Sequence, residues 1–260
     1  MKKTLITLAM LAASTIAASA ASVYENTFDS FTDKFSTVDV SDADARISDL
    51  NLSTDTGFTI SINIMADSTI TPTSVTWGHI LGLSFDGVTP PESSPATATS
   101  GYCQLNWQGA TTADGKTTGY GFGINPKYFN DNALASGDNA LSPLVWYNTI
   151  LTVEGTTWTL NIYDSEGNAV STMTDTMTDA AFINTTLTDL YIGGVTTTHN
   201  KALTQIDNLA VYDTLLTDEQ KAALSISTLS GNGIPSIPEP TTATLSILAL
   251  AGLCARRRRK

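Results

Sequence analysis

The strongest constraint on the fold is a run of residues whose polarity alternates with a period of two. The segment GFTISINIMAD, which starts at Gly57, places apolar and polar side chains at alternate positions: Phe58, Ile60, Ile62 and Ile64 against Thr59, Ser61 and Asn63. Because successive side chains of a β-strand point to opposite faces of the sheet, this pattern predicts a half-buried antiparallel strand. We expect the apolar set to face the core.

A second segment predicts three consecutive strands. The stretch WYNTILTVEGTTWTLNIYDSEGNAVSTM, residues 146–173, contains three β-favouring runs separated by turn signals at Glu154-Gly155 and at 164–168. In this meander, Trp158, Leu160 and Ile162 would share one face. The chain also contains 42 threonines, whose branched Cβ favours strands. Since no helical repeat precedes Leu216, we predict an all-β fold rather than alternating strands and helices.

One segment has the features of a helix N-terminus. In TDEQKAALS, Thr217 can cap the helix, and Gln220 stands three residues later, where a capping box needs it. Asp218 and Glu219 suit the positive end of the helix dipole. We predict one short helix of about two turns here.

The charge distribution limits the possible partners. Residues 21–236 contain 6 basic and 24 acidic residues, a formal charge of −18. A surface this negative repels phosphate backbones and anionic headgroups. We therefore expect neither nucleic-acid binding nor peripheral membrane binding by this part of the chain, whereas solubility outside the cell and cation binding remain open.

The N-terminus has the pattern of a secretory signal peptide. Lys2 and Lys3 form a basic end, residues 5–16 form an apolar stretch, and Ala18-Ser19-Ala20 forms a small-residue cleavage site. Cleavage between Ala20 and Ala21 would remove residues 1–20. The sequence therefore predicts export through the secretion machinery.

The C-terminus, IPEPTTATLSILALAGLCARRRRK, combines three features in a fixed order. Pro238 and Pro240 flank Glu239 and favour an extended, accessible backbone. Residues 241–255 form an uncharged, mostly apolar run that would reach about 22 Å as a helix, short of a hydrocarbon core of about 30 Å. The basic tail 256–260 would stay on the cytoplasmic side of the membrane. We treat residues 230–237 as a linker to this tail.

This ordered triple resembles the PEP-CTERM sorting signal. The resemblance implies that an exosortase, a membrane transpeptidase-like enzyme, recognises Pro238, Glu239 and Pro240. It also implies that 241–255 is a transient transmembrane anchor and that the host is a Gram-negative bacterium that makes extracellular polysaccharide. We therefore expect transient anchoring in the inner membrane, followed by location at the cell surface, in the outer envelope or in the extracellular matrix.

The segment LYIGGVTTTHNKALTQIDNLAVYDTLL, which precedes the predicted helix, resembles the closing segment of LamG-like domains. The pieces YENTFDSF, FTISINI and WYNTILTVEGTTWTLNIYDSEGNAV fall in the order expected of that family, so the resemblance covers residues 22–229. It implies an all-β, concanavalin A-like antiparallel jelly-roll sandwich that binds glycans or proteins. The family often holds structural calcium, and Asp207 is the residue we expect to contact it. Alternatively, Asp207 caps a turn or accepts backbone hydrogen bonds.

The candidate ligand-contacting residues lie in the glycine-rich insert that starts at Ser100. Sugar binding requires aromatic faces for stacking and amide groups for hydroxyls, which this insert supplies as Trp107, Tyr120, Tyr128, Asn106 and Gln108. The alternative is that these aromatics pack in the core. For Trp77, Trp146, Trp158 and the lone domain cysteine, Cys103, we favour burial in the core.

No catalytic motif is evident in the sequence. Retaining glycosidases need two carboxylates about 5 Å apart, and the paired acidic pattern that glucanase relatives carry on one strand is absent. Glu154 and Glu166 each stand in a predicted turn. His79 and His199 are the only histidines, and they lie in different segments. We therefore predict a protein without catalytic activity.

The predicted function is that of an exported envelope or extracellular-matrix protein that binds carbohydrate. The first alternative is a structural matrix or adhesion protein without a specific ligand, because threonine-rich wet faces and negative charge suit a hydrated polysaccharide matrix. The second alternative is a glycoside hydrolase of the glucanase-like jelly-roll class.

Overall fold

The computed structural model describes residues 19–26, 46–66, 78–89, 101–111, 117–125, 141–142, 144–192 and 204–238. In chain order, the elements are β1 (Ser19–Ala20), β2 (Ser22–Asn26), β3 (Arg46–Ile47), β4 (Leu52–Ser53), β5 (Phe58–Ala66), β6 (Gly78–Phe85), β7 (Tyr102–Thr111), β8 (Thr117–Asn125), β9 (Trp146–Glu154), β10 (Thr157–Tyr163), β11 (Ala169–Thr176), β12 (Thr186–Ile192), β13 (Thr204–Tyr212), α1 (Asp218–Leu229) and β14 (Ile237–Pro238).

The strands form a β-sandwich of two antiparallel sheets. Sheet I has the order β11-β10-β9-β5-β13-β2, and sheet II has the order β3-β12-β6-β7-β8, with β4 also paired to β12. All of the strand pairs in both sheets are antiparallel. The predicted all-β sandwich class is therefore confirmed, and the finer jelly-roll assignment stays a prediction.

The main core lies between the two sheets. In β5, the four alternate apolar residues are buried as expected: Phe58, Ile60, Ile62 and Ile64. Phe85 of sheet II packs against Trp158 of sheet I with ring centroids 5.8 Å apart. Phe182 meets Phe85 edge-on at 5.4 Å. Burial of each such side chain stabilises the fold by about 1.5–3 kcal/mol.

The predicted meander is confirmed by β9, β10 and β11. The hairpin between β9 and β10 turns at Glu154-Gly155, where Gly155 has a positive φ of 58° that suits glycine. Trp158, Leu160 and Ile162 all lie in the core. Residues at the alternate positions therefore form the outer face of sheet I.

The outer face of β5 differs from the expectation of a wet face. Thr59, Ser61 and Asn63 are as buried as the apolar residues between them. The reason is that α1 covers this part of sheet I. The helix is 12 residues long, about three turns rather than two, because its buried residues Leu224, Ser225 and Thr228 extend the contact with the sheet.

The N-terminus of α1 has the predicted capping box. The Gln220 N–H donates to Thr217 Oγ1 at 3.3 Å, and the Thr217 N–H donates to Gln220 Oε1 at 2.8 Å. Asp218 and Glu219 occupy the first turn, where their charges complement the helix dipole. These contacts fix the residue at which the helix begins.

A buried hydrogen-bond network joins α1 to sheet I. Asn148 Nδ2 donates to Ser61 Oγ at 2.9 Å and to Asn63 Oδ1 at 2.8 Å. Ser225 Oγ of the helix donates to Asn148 Oδ1 at 2.8 Å, and Thr228 Oγ1 donates to Asn63 Oδ1 at 3.1 Å. Because buried polar groups are costly unless hydrogen-bonded, this network favours one position of the helix on the sheet.

A two-stranded ribbon of β1 and β14 completes this side of the molecule. Ser19 pairs with Pro238, and Ala20 pairs with Ile237. Ala20 and Ile237 are buried in a second apolar cluster that includes Leu224 of α1. Residues on both sides of the predicted cleavage bond are thus described, with Ala20 buried and Ala21 exposed. The cleavage itself stays a prediction, as do the linker and domain boundaries.

Among the described residues, no helix has the length and apolarity that a membrane span requires. The predicted anchor 241–255 and the basic tail 256–260 lie outside the described residues, as do Glu239 and Pro240. The sorting signal therefore stays a prediction from the sequence.

Candidate functional site

Four of the five predicted sugar-contacting residues lie on two neighbouring strands of sheet II. Asn106, Trp107 and Gln108 belong to β7, Tyr120 belongs to β8, and Tyr128 lies outside the described residues. The structure describes the backbone positions of these four, and not their side chains.

The strand register divides these four positions between two faces of sheet II. Tyr120 pairs with Gly109, which is two residues from Trp107. Because strand positions two apart share a face, positions 107 and 120 belong to the same face as the buried Leu105. Positions 106 and 108 belong to the opposite face. The structure therefore places the four positions close together on two paired strands, but it does not place them on one face of sheet II.

Asp207 lies in β13, where the pairing with β5 is interrupted by a bulge. Its Oδ1 accepts a hydrogen bond of 2.8 Å from the backbone N–H of Asn208, which has a positive φ of 48°. This is the backbone-capping role that the sequence left as the alternative to calcium. In the part of the chain that the structure describes, no three His, Cys, Asp or Glu side chains group together. The described side chains thus form no calcium cage, and calcium at Asp207 stays a prediction.

The structure gives the burial or the position of several other residues that the sequence analysis singled out. Cys103 is buried, as expected, and it is a free cysteine. Burial raises the pKa of its thiol well above the usual value, so the neutral form is favoured. Trp158 is in the core, whereas Trp146 is half-buried. His79 belongs to β6, while Trp77 and His199 lie outside the described residues.

A cleft of about 570 Å³ opens on the outer face of sheet I, beside the N-terminal half of α1. Its size is within the usual range for small-ligand sites, about 300–1,000 Å³. The floor comes from β9, β10 and β11, and the wall comes from α1 and the residues just before it: Thr152, Thr159, Asn161 and Thr172 on the floor, and Leu215, Leu216, Asp218, Lys221 and Ala222 on the wall. Glu154 and Tyr163 also line it.

The cleft exists because the meander presents polar residues at its outward positions. Asn161 alternates with the core residues Leu160 and Ile162, and Thr159 alternates with Trp158 and Leu160. The register brings Thr152 opposite Thr159, and Asn161 opposite Thr172. Hydroxyl and amide groups from three adjacent strands thus form one continuous polar floor.

Asn161 is the most unusual residue of this floor. Its side chain is 5% exposed. Its Nδ2 donates to Thr172 Oγ1 at 2.9 Å, while its Oδ1 has no hydrogen-bond partner among the described residues. The buried hydroxyl of Thr152 also lacks a partner there. Unpaired buried polar atoms are uncommon in folded proteins, and the two residues that carry these atoms both line the cleft.

The charged groups of the cleft are unevenly paired. Lys221 is 7% exposed, and its Nζ donates to Asp218 Oδ1 at 3.1 Å. Glu154 is exposed at the end of β9. Burial, together with the negative charge of Asp218, raises the pKa of Tyr163 to about 12. The tyrosine therefore stays a neutral phenol at physiological pH.

The sequence analysis did not identify this cleft. It used the same strands only for their apolar face and placed Glu154 in an isolated turn. A usable signal was present, because five outward positions of these strands carry Thr or Asn: Thr152, Thr159, Asn161, Thr172 and Thr174. What the sequence lacked was the packing of α1, which turns a flat polar face into a cleft.

Comparisons with known proteins complete the description. No protein-family model matches the chain, and no curated protein matches it. Among solved structures, a mutant of Trypanosoma rangeli sialidase displaying trans-sialidase activity is 14% identical over 68% of this chain and 23% of that chain, with a TM-score of 0.42. The binding domain of Paraclostridial Mosquitocidal Protein 1 is 13% identical over 67% of this chain and 38% of that chain, with a TM-score of 0.38.

A third similar structure is the botulinum neurotoxin serotype D ligand-binding domain in complex with N-acetylneuraminic acid. It is 11% identical over 72% of this chain and 39% of that chain, with a TM-score of 0.39. This chain thus spans less than half the length of each of the three proteins. At these identities and scores, the ligand of a similar protein is not evidence about the ligand of this chain.

Proposed function

We propose that this protein binds carbohydrate without catalysis, through the cleft between sheet I and α1. The observation that supports this proposal best is Asn161, a residue only 5% exposed that lines a cleft of about 570 Å³ and whose amide oxygen has no partner among the described residues. A floor of hydroxyl and amide groups matches the many hydroxyl groups of a sugar, each of which both donates and accepts hydrogen bonds. The cleft replaces the insert residues of sheet II as our first candidate site.

The proposal also includes the expected location. The signal-peptide pattern of residues 1–20 and the PEP-CTERM-like tail support export, transient anchoring in the inner membrane and processing by an exosortase. The charge of −18 over residues 21–236 is compatible with a hydrated polysaccharide environment. We likewise assign the β-sandwich to the concanavalin A-like jelly rolls, which is what the LamG resemblance implies.

A glycan array probed with the full chain tests the binding proposal. We expect saturable signals on a subset of glycans, and calorimetry on the strongest of them should give a dissociation constant that Asn161→Leu weakens by about tenfold or more. Asp49→Asn, an isosteric loss of charge in the loop between β3 and β4, is the matched control and should bind normally. An array with no signal would favour the structural matrix protein instead.

The same array, repeated with added calcium and with a chelator, tests the calcium prediction. If Asp207 contacts calcium, the array signal or the melting temperature should depend on added calcium, and Asp207→Asn should abolish that dependence. Equal signals in calcium and in a chelator would rule out a calcium requirement and leave glycan binding intact.

One observation keeps the enzymatic alternative open. Glu154 and Asp218, which are distant in sequence, both line the cleft, and glycosidases use pairs of carboxylates. We expect no release of reducing sugar from glucans by the purified chain. Release that disappears in both Glu154→Gln and Asp218→Asn would replace the binding proposal with hydrolysis.

A further inference from the structure

We propose that the cleft between sheet I and α1 selects sugars that carry no acid group, that is, neutral or amino sugars rather than uronates, sialates or sulfated sugars. The inference rests on the proposed function, because it names the chemical class of ligand for the same cleft. It follows from two independent properties of the lining: which hydrogen-bonding atoms are unpartnered, and which charges are unpaired.

The unpartnered atoms call for a ligand that donates hydrogen bonds. The Oδ1 atom of Asn161 can only accept, and it is the amide oxygen that lacks a partner among the described residues. A sugar hydroxyl or ammonium donates to such an oxygen. A carboxylate or sulfate oxygen can only accept, so an acidic sugar could satisfy Asn161 Oδ1 only through one of its remaining hydroxyl groups, with its acid group turned away from that oxygen.

The ionic groups of the lining point in the same direction. Lys221 is the one cation among the described lining residues, and its Nζ is paired with Asp218. Glu154 lines the same cleft, and no ion pair to it is found within the described part of the chain. The lining therefore has a net charge of −1. This charge would repel an anionic sugar and attract a protonated amino sugar, and it would have little effect on a neutral sugar.

An acidic sugar has one route into the cleft, which is to displace Asp218 and take over the ammonium of Lys221. Two features oppose it. Asp218 lies in the first turn of α1, where the helix dipole stabilises its charge, and it is three residues from Lys221 on the same helix, so that the pair forms locally. The displaced carboxylate would also remain beside the incoming anion.

A set of paired oligosaccharides tests the selectivity. The probes are cello-, laminari- and malto-oligosaccharides, each beside its uronate derivative oxidised at the primary alcohol, together with chitosan oligosaccharides at mildly acidic pH. They are measured by array and calorimetry with the full chain at low ionic strength. We expect each bound neutral sugar to bind about tenfold tighter than its uronate, with a smaller ratio at high salt.

Variants separate the two arguments. Glu154→Gln should reduce the preference over uronates to about threefold, chiefly by tightening the binding of uronates. Asn161→Leu should weaken neutral and amino sugars alike, and Asp49→Asn should change neither. Uronates that bind as tightly as their neutral partners, with binding lost in Asn161→Leu or Lys221→Met, would overturn the selectivity and leave glycan binding in place. If no probe and no array glycan binds, the proposed function fails, and the selectivity fails with it.

Discussion

Replacing Asn148 with leucine should destabilise the protein by about 3 kcal/mol, because it removes the centre of the network between sheet I and α1. Asn148 is fully buried, and leucine has the same branching and the same number of side-chain heavy atoms, although its methyl groups are bulkier than the amide. The hydroxyl of Ser61, also fully buried, has hydrogen bonds only to Asn148 among the residues that the structure describes. Its loss of all partners contributes about 2 kcal/mol, and the lost hydrogen bond to Asn63 contributes about 1 kcal/mol.

The other partners keep an alternative, which limits the effect. Ser225 Oγ can donate to the carbonyl oxygen of Lys221 at 2.8 Å, and Asn63 Oδ1 still accepts from Thr228. Adding Ser61→Ala to Asn148→Leu should therefore restore about 2 kcal/mol, because replacing both partners of a buried hydrogen bond by apolar groups is nearly neutral. Urea unfolding followed by circular dichroism and by the fluorescence of the buried Trp158 measures these differences.

The same substitution at Asn161 is the matched control. Asn161 lies on the same face of sheet I and is also buried. Within the described part of the chain, its substitution removes one hydrogen bond, to Thr172, and one unpartnered buried oxygen. Asn161→Leu should therefore change the unfolding free energy by less than about 1 kcal/mol. A loss of less than about 1 kcal/mol for Asn148→Leu, or a double variant with Ser61→Ala that is no more stable, would refute the network argument.

Three further predictions concern pH and packing. Burial and the charge of Asp218 raise the pKa of Tyr163 from 10.0 to about 12. The stabilisation from its neutral form should therefore be fully present below pH 10 and should be lost as the pH approaches 12. Tyr163→Phe should remove this part of the alkaline loss in melting curves. Burial tends to raise the pKa of Asp164, but hydrogen bonds donated by the β10–β11 turn outweigh it and lower the pKa. The stabilisation by this carboxylate should therefore be present above the usual pKa of 3.8 and lost as the pH falls below it. In an acid titration, Asp164→Asn should show a smaller loss of stability than the unchanged protein. A methyl group at Gly82 would overlap the hydroxyl of Tyr102, so Gly82→Ala should lower the unfolding free energy measured in urea by about 1–3 kcal/mol. If Gly82→Ala destabilises the Tyr102→Phe variant by the same amount, the clash with the hydroxyl is not the cause.

Local patterns were sufficient to predict much of the fold. The alternation in β5, the meander of β9 to β11 and the capping box at Thr217 depend on residues that are close in sequence, and all three are confirmed. The length of α1 was underestimated because its last turn is stabilised by sheet I rather than by its own capping signals. A helix end that depends on packing leaves no local signal.

The candidate site was harder to predict than the fold. The sequence directed attention to the aromatic residues around Trp107, because aromatic rings and amides in a glycine-rich insert are typical of sugar sites. The cleft instead combines Asn161 with Asp218 and Lys221, which are about 60 residues further along the chain. No spacing rule joins these residues, because only the docking of α1 brings them to one place.

The sequence by itself determined where strands and the helix form, which strand faces are apolar and where the helix begins, since each depends on hydrophobic periodicity and on capping between near neighbours. Tertiary structure alone decided which polar face would stay in contact with water. Ser61 and Asn63 look like exposed residues in the sequence, yet they are buried against Asn148 and Thr228, which are 87 and 165 positions away from them respectively. The alternating pattern shows only which positions carry polar side chains. A polar side chain is equally compatible with water and with a buried partner that completes its hydrogen bonds.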